Sequence, residues 1–341
     1  MRARRLLSFR PDMTLPPAIF PRLATPGLAT PGLATPGLAT ELCGVRLANP
    51  VIAAAGTCGY VRELADALDP AALGAITTKS ITREPREGNA PWRMWGVPGG
   101  MLNAIGLANI GLERFLAEKL PGAASLGCTL IGSMAGHSID DYLALAAAFD
   151  REPLIPIVEL NVSCPNTADG LQFGEHPPSL LALLRTVRPA LGRTKMLVKL
   201  SPNVGDIVAM ARAAIDGGAD GLTLINTVSA MAIDVESRTT RLSRGAGGMS
   251  GPAIHPLAVR MVHDVYHHVA RDAKIPIVGL GGVDVWQDAA EFVLAGATCV
   301  GIGTGLFVDP RTPIAVIKGL DRWVERQGCS SIRELIGAVR A

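Results

Sequence analysis

Cys164 stands near the end of the segment ELNVSCPN (159–166), between Asn161 and Asn166. The apolar run LIPIV leads into this segment, and the polar, glycine-bearing stretch TADGLQFG follows it. The pattern is that of a buried strand ending in a polar turn that carries a thiol. A lone cysteine is most often a packed, inert thiol. In a polar loop it acts as a base or a nucleophile once its pKa suits the operating pH. No histidine lies close in sequence to form a protease-like pair. Asn103, Asn161, Asn166 and Asn226 all fall in candidate site loops. Each amide offers two donors and an acceptor, which suits a planar ring with alternating C=O and N–H groups. Any one of them is also an ordinary turn residue; four together point to an amide-rich heterocycle. Asn103 lies in GGMLNAIGL (99–107), among small and apolar residues suited to covering a flat ring.

The elements that must hold these residues are short apolar runs alternating with helix-like stretches. The runs are VIAAAG (51–56), GAITTKS (74–80), CTLIGSMAG (128–136), LIPIVELNV (154–162), KMLVKL (195–200), GLTLINT (221–227), IPIVGLGG (275–282) and CVGIGTG (299–305). Near-continuous apolar strands followed by helices predict parallel strands buried on both faces. Eight such units in about 300 residues fit an α/β fold of the (β/α)8 TIM-barrel class. An open doubly wound sheet is the alternative, but no GxGxxG follows the first strand, where a dinucleotide-binding sheet would carry it.

In a (β/α)8 barrel the active site forms at the C-terminal strand ends. The residues there are Gly56 and Thr57, Lys79 and Ser80, Ser133, Asn161 to Cys164, Lys199 and Ser201, Asn226 and Thr227, Gly281 and Gly282, and Gly303 and Thr304. Two lysines at otherwise apolar strand ends each call for a partner, and an anionic or polar ligand would serve. The glycines after the seventh and eighth strands stand where this fold often holds a phosphate. Glycine lets backbone N–H groups approach phosphate oxygens, although it also simply permits tight turns. GGMSGP (247–252) is a third glycine-rich segment that could close over the same group.

Composition narrows the classes. The chain has 341 residues, 48% hydrophobic and 18% charged, with a net charge of +2. No basic stripe points to nucleic acid, and 4% aromatics leave little for base stacking. The six cysteines are dispersed, with no CxxC pair and no HExxH elsewhere, so no metal site is expected. A chain of this size needs no disulfide staples, which favours reduced thiols and a cytoplasmic setting. Prolines interrupt the Arg-rich start, and no stretch of about twenty apolar residues predicts a membrane span. Residues 23–40 repeat LATPG, so residues 1–40 are expected to be a flexible low-complexity extension, with the catalytic barrel over 41–341.

Taken in order, TKSITREPREGN (78–89), GGMLNAIGL, ELNVSCPN, VKLSPN (198–203), LINT (224–227), GGMSGPA (247–253), GLGGV (279–283) and GIGT (301–304) resemble dihydroorotate dehydrogenase, the FMN enzyme of pyrimidine synthesis. The resemblance runs from about residue 41 to 339. It implies a barrel holding FMN at its mouth and oxidation of dihydroorotate, with Cys164 as catalytic base and hydride transfer to the flavin. A cysteine at this position is similar to the soluble class 1 enzymes, and within them the sequence resembles the NAD-linked catalytic subunits. Those pair with a second subunit carrying FAD and an iron–sulfur cluster, around a homodimer core. By resemblance, Lys79, the loop Asn103, Ala104, Ile105, Gly106 and Leu107, and Asn161, Asn166, Asn226 and Thr227 contact substrate. Gly56, Lys79, Ser80, Ser133, Asn161, Lys199, Ile225, Gly251, Gly281, Gly282, Gly303 and Thr304 are implied to hold FMN. Ser133 replaces an asparagine usual in the family, and Ala55 stands where a serine is frequent. Each removes a hydrogen bond worth about 0.5–1.5 kcal/mol, or up to roughly tenfold in flavin affinity. Two other readings are a flavin barrel acting on another dihydropyrimidine and a catalytically silent barrel used as a scaffold.

Overall fold

The computed structural model describes residues 35–163 and 173–340. Eight strands in it pair in parallel: Val51–Ala53 (β1), Ala75–Thr77 (β2), Thr129–Met134 (β3), Ile157–Asn161 (β4), Lys195–Leu200 (β5), Gly221–Leu224 (β6), Ile277–Leu280 (β7) and Cys299–Ile302 (β8). They close into one barrel, with β8 on β1 and β5 on β6, so the expected (β/α)8 architecture is present. All eight apolar runs supply a barrel strand.

Alternate strand residues enter the barrel. At the lower end Ile52, Ala75, Ile131, Ile157, Leu197, Val278 and Cys299 form an apolar layer. A hairpin, Thr40–Leu42 with Val45–Leu47, plugs it with Leu42, Cys43 and Leu47. Its two-residue turn has φ of 54° at Cys43 and 83° at Gly44, the left-handed pair that suits strand twist. Higher in the barrel the interior turns polar: Thr77, Ser133, Glu159, Lys199 and Thr223 are all buried. The register sets Lys199 opposite Asn161 on one side and Thr223 on the other.

The outer layer comprises Ile139–Asp150 (α1), Pro177–Val187 (α2), Ile207–Asp216 (α3), His255–Val265 (α4), Trp286–Ala295 (α5) and Thr312–Arg326 (α6). Ser138 and Asp206 cap α1 and α3 by accepting from the N–H of Asp141 and Ala209. The Gly217–Gly218 pair stops α3, with Gly218 at φ 91°. Among the described residues no helix is long and apolar enough to cross a membrane. Leu38 is fully buried in the core, so the packed body already includes the last residues of the LATPG repeat rather than starting at Glu41.

Two long excursions leave the barrel after β2 and β6. Their strands Met94–Val97, Gly100–Asn103, Ala246–Ser250 and Val228–Met231 join into a four-stranded antiparallel sheet. This sheet supplies one wall of the cavity at the upper barrel mouth.

Candidate active site

The cavity has a volume of about 970 Å³. That is near the top of the roughly 300–1,000 Å³ range of small-molecule sites, large enough for a cofactor and a small substrate together. Strand ends contribute Gly56, Lys79, Ser80, Asn161, Lys199, Ile225, Asn226, Thr227, Gly281, Gly303 and Thr304 to its wall. The cap adds Asn103, Ala104, Ile105, Gly106 and Leu107. The residues singled out from dispersed segments therefore converge. Cys164 and Asn166 lie outside the described residues; Val162 and Ser163, just before them, line the cavity.

Three expected contacts are not on the wall. Ser133 is fully buried behind it and shares a 2.9 Å hydrogen bond with Ser80 Oγ, so it reaches the cavity only through Ser80. Gly251 and Gly282 pack against each other immediately beside Ser250 and Gly281, which do line the space. A Cβ on Gly282 would meet the Gly251 carbonyl at 2.8 Å, and both glycines take left-handed φ values of 102° and 71°. No side chain fits this approach, so the two backbones can meet this closely only at glycine.

Polar side chains form a connected ladder. Asn161 Nδ2 donates to Ser80 Oγ at 3.3 Å, and Asn226 Nδ2 donates to Asn161 Oδ1 at 3.2 Å. Thr227 N–H donates to Asn226 Oδ1 at 2.8 Å. Asn103 Nδ2 donates to the Gly248 carbonyl at 3.2 Å, tying the two excursions together. Each Nδ2 retains a second N–H, so the ladder holds the amides in place and leaves donors for a ligand. Thr304 donates to Ser250 Oγ at 2.7 Å, joining the end of β8 to the cap.

Charge in the cavity is mostly positive. Lys79, Arg86, Lys199 and Arg244 line it, against Glu175. Lys199 is buried, and neither lysine has an ion-pair partner within 4.0 Å among the described residues. Burial, then the nearby Lys199 and Arg93 charges, lowers the Lys79 pKa below the ordinary lysine value. An anionic ligand would relieve both burdens.

Several wall residues escaped the sequence reading. Arg86 and Asn89 lie in TKSITREPREGN, where the resemblance marks only Lys79 and Ser80 as contacts. Asn89 braces the cap loop, donating from Nδ2 to the Ala104 carbonyl at 2.8 Å. His137, remote from Cys164 in sequence, lines the cavity and accepts from Arg86 Nη1 at 2.6 Å. Asn203 lies just past the end of β5 and accepts the Ser229 N–H at 2.8 Å. Its signal was present in VKLSPN, two residues beyond Ser201. The other five cysteines are free thiols, and no cluster of three metal-ligating side chains exists among the described residues.

A family model described as dihydroorotate dehydrogenase matches residues 37–324. The dihydroorotate dehydrogenase B (NAD(+)) catalytic subunit of Geotalea uraniireducens is 43% identical over 300 residues, covering 88% of this chain and 97% of that protein. Its namesake from Bacteroides fragilis is 45% identical over 296 residues, covering 86% and 96%. A Solibacter usitatus protein provisionally named dihydroorotate dehydrogenase A (fumarate) is 43% identical over 299 residues, covering 88% and 97%.

Proposed function

Because the chain belongs to the dihydroorotate dehydrogenase family, we propose that it oxidises dihydroorotate to orotate, the CH–CH oxidation of pyrimidine biosynthesis that leads to UMP. The observation that carries this reading is the Ser80–Asn161–Asn226–Thr227 ladder, which shares one cavity with Lys79 and the 103–107 loop. Fixed amides match a ring of alternating C=O and N–H groups, and the half-buried Lys79 matches its carboxylate.

FMN is the cofactor of this proposal, and when bound it supplies the hydride-accepting chemistry. The cavity's size, the unpartnered lysines and the glycine-lined backbone near Gly251, Gly281, Gly282 and Gly303 fit a flat group ending in a phosphate. Gly56, Ser80, Asn161 and Ile225 would border the ring, with Ser133 acting through Ser80. Lys199 would hold positive charge beside the ring where negative charge develops. Lys79 and Asn103 to Leu107, with Asn161, Asn166, Asn226 and Thr227, would hold the substrate. Thr304 would serve the phosphate end together with the glycines. Cys164 would take the proton from C5 of the substrate.

The electron acceptor follows the relatives named for NAD(+): a separate subunit carrying FAD and an iron–sulfur cluster would receive electrons from a homodimer core in the cytoplasm. Anaerobic titration of the purified protein with dihydroorotate, followed by flavin absorbance, tests the activity. Bleaching by dihydroorotate and not by dihydrouracil is expected; the converse would move the substrate to another dihydropyrimidine. Cys164→Ala should keep bound flavin and lose roughly 10²–10⁴-fold in turnover. Full turnover in that variant would remove Cys164 from the base role.

A further inference from the structure

We propose that His255, the first residue of α4, is a positioning residue for the phosphate end of the cofactor. It holds the Gly281–Gly282 peptide so that the Gly282 N–H faces the cavity. The inference rests on the FMN reading above and extends it to a side chain outside the cavity wall.

His255 is 8% exposed, and its Nδ1 lies 2.9 Å from the Gly281 carbonyl oxygen. A carbonyl only accepts, so Nδ1 carries the proton and donates. The peptide between Gly281 and Gly282 is trans. In a trans peptide the C=O of one residue and the N–H of the next point in opposite directions. Gly281 borders the cavity while His255 packs behind it, so a carbonyl drawn to the imidazole turns the Gly282 N–H the other way, toward the cavity. That N–H donates to no group among the described residues.

The imidazole is itself fixed. It meets Phe292 edge-on, with centroids 5.1 Å apart and rings at 90°. Its Nε2 faces Glu291 Oε2 at 3.3 Å without hydrogen-bond alignment. A Cβ on Gly282 would meet His255 Cβ at 2.8 Å, so ring and loop are in close register. Two consecutive glycines otherwise leave this peptide free to rotate. Rotation would aim a carbonyl oxygen, rather than a donor, at a bound phosphate.

The test compares FMN with riboflavin, which lacks the phosphate, by fluorescence titration of flavin-free protein. His255→Phe keeps an edge-on ring and removes the donor. It should weaken FMN about tenfold or more while riboflavin stays within about twofold, the scale of one lost charge-assisted hydrogen bond. His255→Asn places an amide donor near the position of Nδ1 and should keep FMN within about threefold of wild type. Equal weakening of both flavins by His255→Phe, unchanged FMN binding, or failure of His255→Asn to rescue would overturn the proposal. Should His255→Phe not fold, as judged by thermal melting, His255→Leu gives the same comparison. A wild-type protein that binds neither flavin would instead bring down the FMN reading, and this inference with it.

Discussion

Lys79 shows how a single residue records what the site is for. Burial, reinforced by Lys199 and Arg93, disfavours its ammonium, so its folded-state pKa lies below that of the unfolded chain. Below the folded value the charged lysine is a full penalty on folding. Between the folded and unfolded values the unfolded chain binds more protons, so stability rises with pH. Lys79→Met should therefore melt above wild type at neutral pH without ligand, and that advantage should shrink as pH approaches about 10.4, the ordinary lysine value. Orotate should raise the melting temperature of wild type more than that of the variant. A variant that melts at or below wild type at neutral pH would contradict this account. The thiols read the other way: burial pushes Cys58 and Cys128 up to about 12, and it raises Cys43 and Cys299 too. Such thiols stay protonated at neutral pH and are poor bases, which leaves them structural.

At the level of elements, the cap strands matter as much as the barrel. The Ala246–Ser250 strand crosses the mouth with glycines at 247 and 248, and an added Cβ on Gly248 would collide with Thr227 Oγ1. The strand can run this close only because glycine has no side chain there. Gly248→Ala should push the strand outward, break the Asn103–Gly248 hydrogen bond and loosen the substrate wall. Overpacking of this kind costs about 1–3 kcal/mol. The expected result is a KM for dihydroorotate raised about tenfold, with FMN affinity changed less, since Gly281 and Gly303 lie at other strand ends and Gly251 is three residues further along, just past this strand. An unchanged KM would show that the cap strand does not bear on substrate. The 103–107 loop obeys the same logic: Gly106 at φ 72° and Leu107 at φ 57° turn the chain over the cavity while Asn89 ties it down.

For the whole molecule, the open question is where the electrons go. Iron–sulfur ligation needs clustered thiolates, and the described cysteines are dispersed, with Cys43, Cys58 and Cys299 buried. We propose that this chain alone carries the reaction from dihydroorotate to bound FMN and no further. Mixing purified chain, dihydroorotate and NAD⁺ should bleach the flavin without forming NADH, and adding an FAD and iron–sulfur subunit should restore NADH formation. NADH production by the chain alone would refute this, and turnover with fumarate would place the protein with the fumarate-linked relatives. Trp92, Met231, Ile233 and Val235 are exposed in the excursions around the mouth, at 71%, 54%, 58% and 78%.

The barrel was legible from the chain alone because parallel strands buried on both faces need near-continuous apolar runs, and all eight runs carry that mark. The strand-end rule then located the part of the wall that the barrel itself supplies, from Gly56 to Thr304, because parallel-barrel sites form at those ends. Spacing along a chain says nothing about which neighbours meet across it. The ladder from Ser80 through Asn161 to Asn226 joins three strands, and the retreat of Ser133 behind Ser80 depends on their register. Arg86 and Asn89 reach the cavity only because the excursion after β2 folds back over the mouth, where Arg86 meets His137 from the end of β3, and His255 meets Gly281 only because α4 packs beside β7. Local hydrophobic period follows from the order of residues, whereas hydrogen-bond partners and burial of charge are settled by distances that exist only once the barrel has closed.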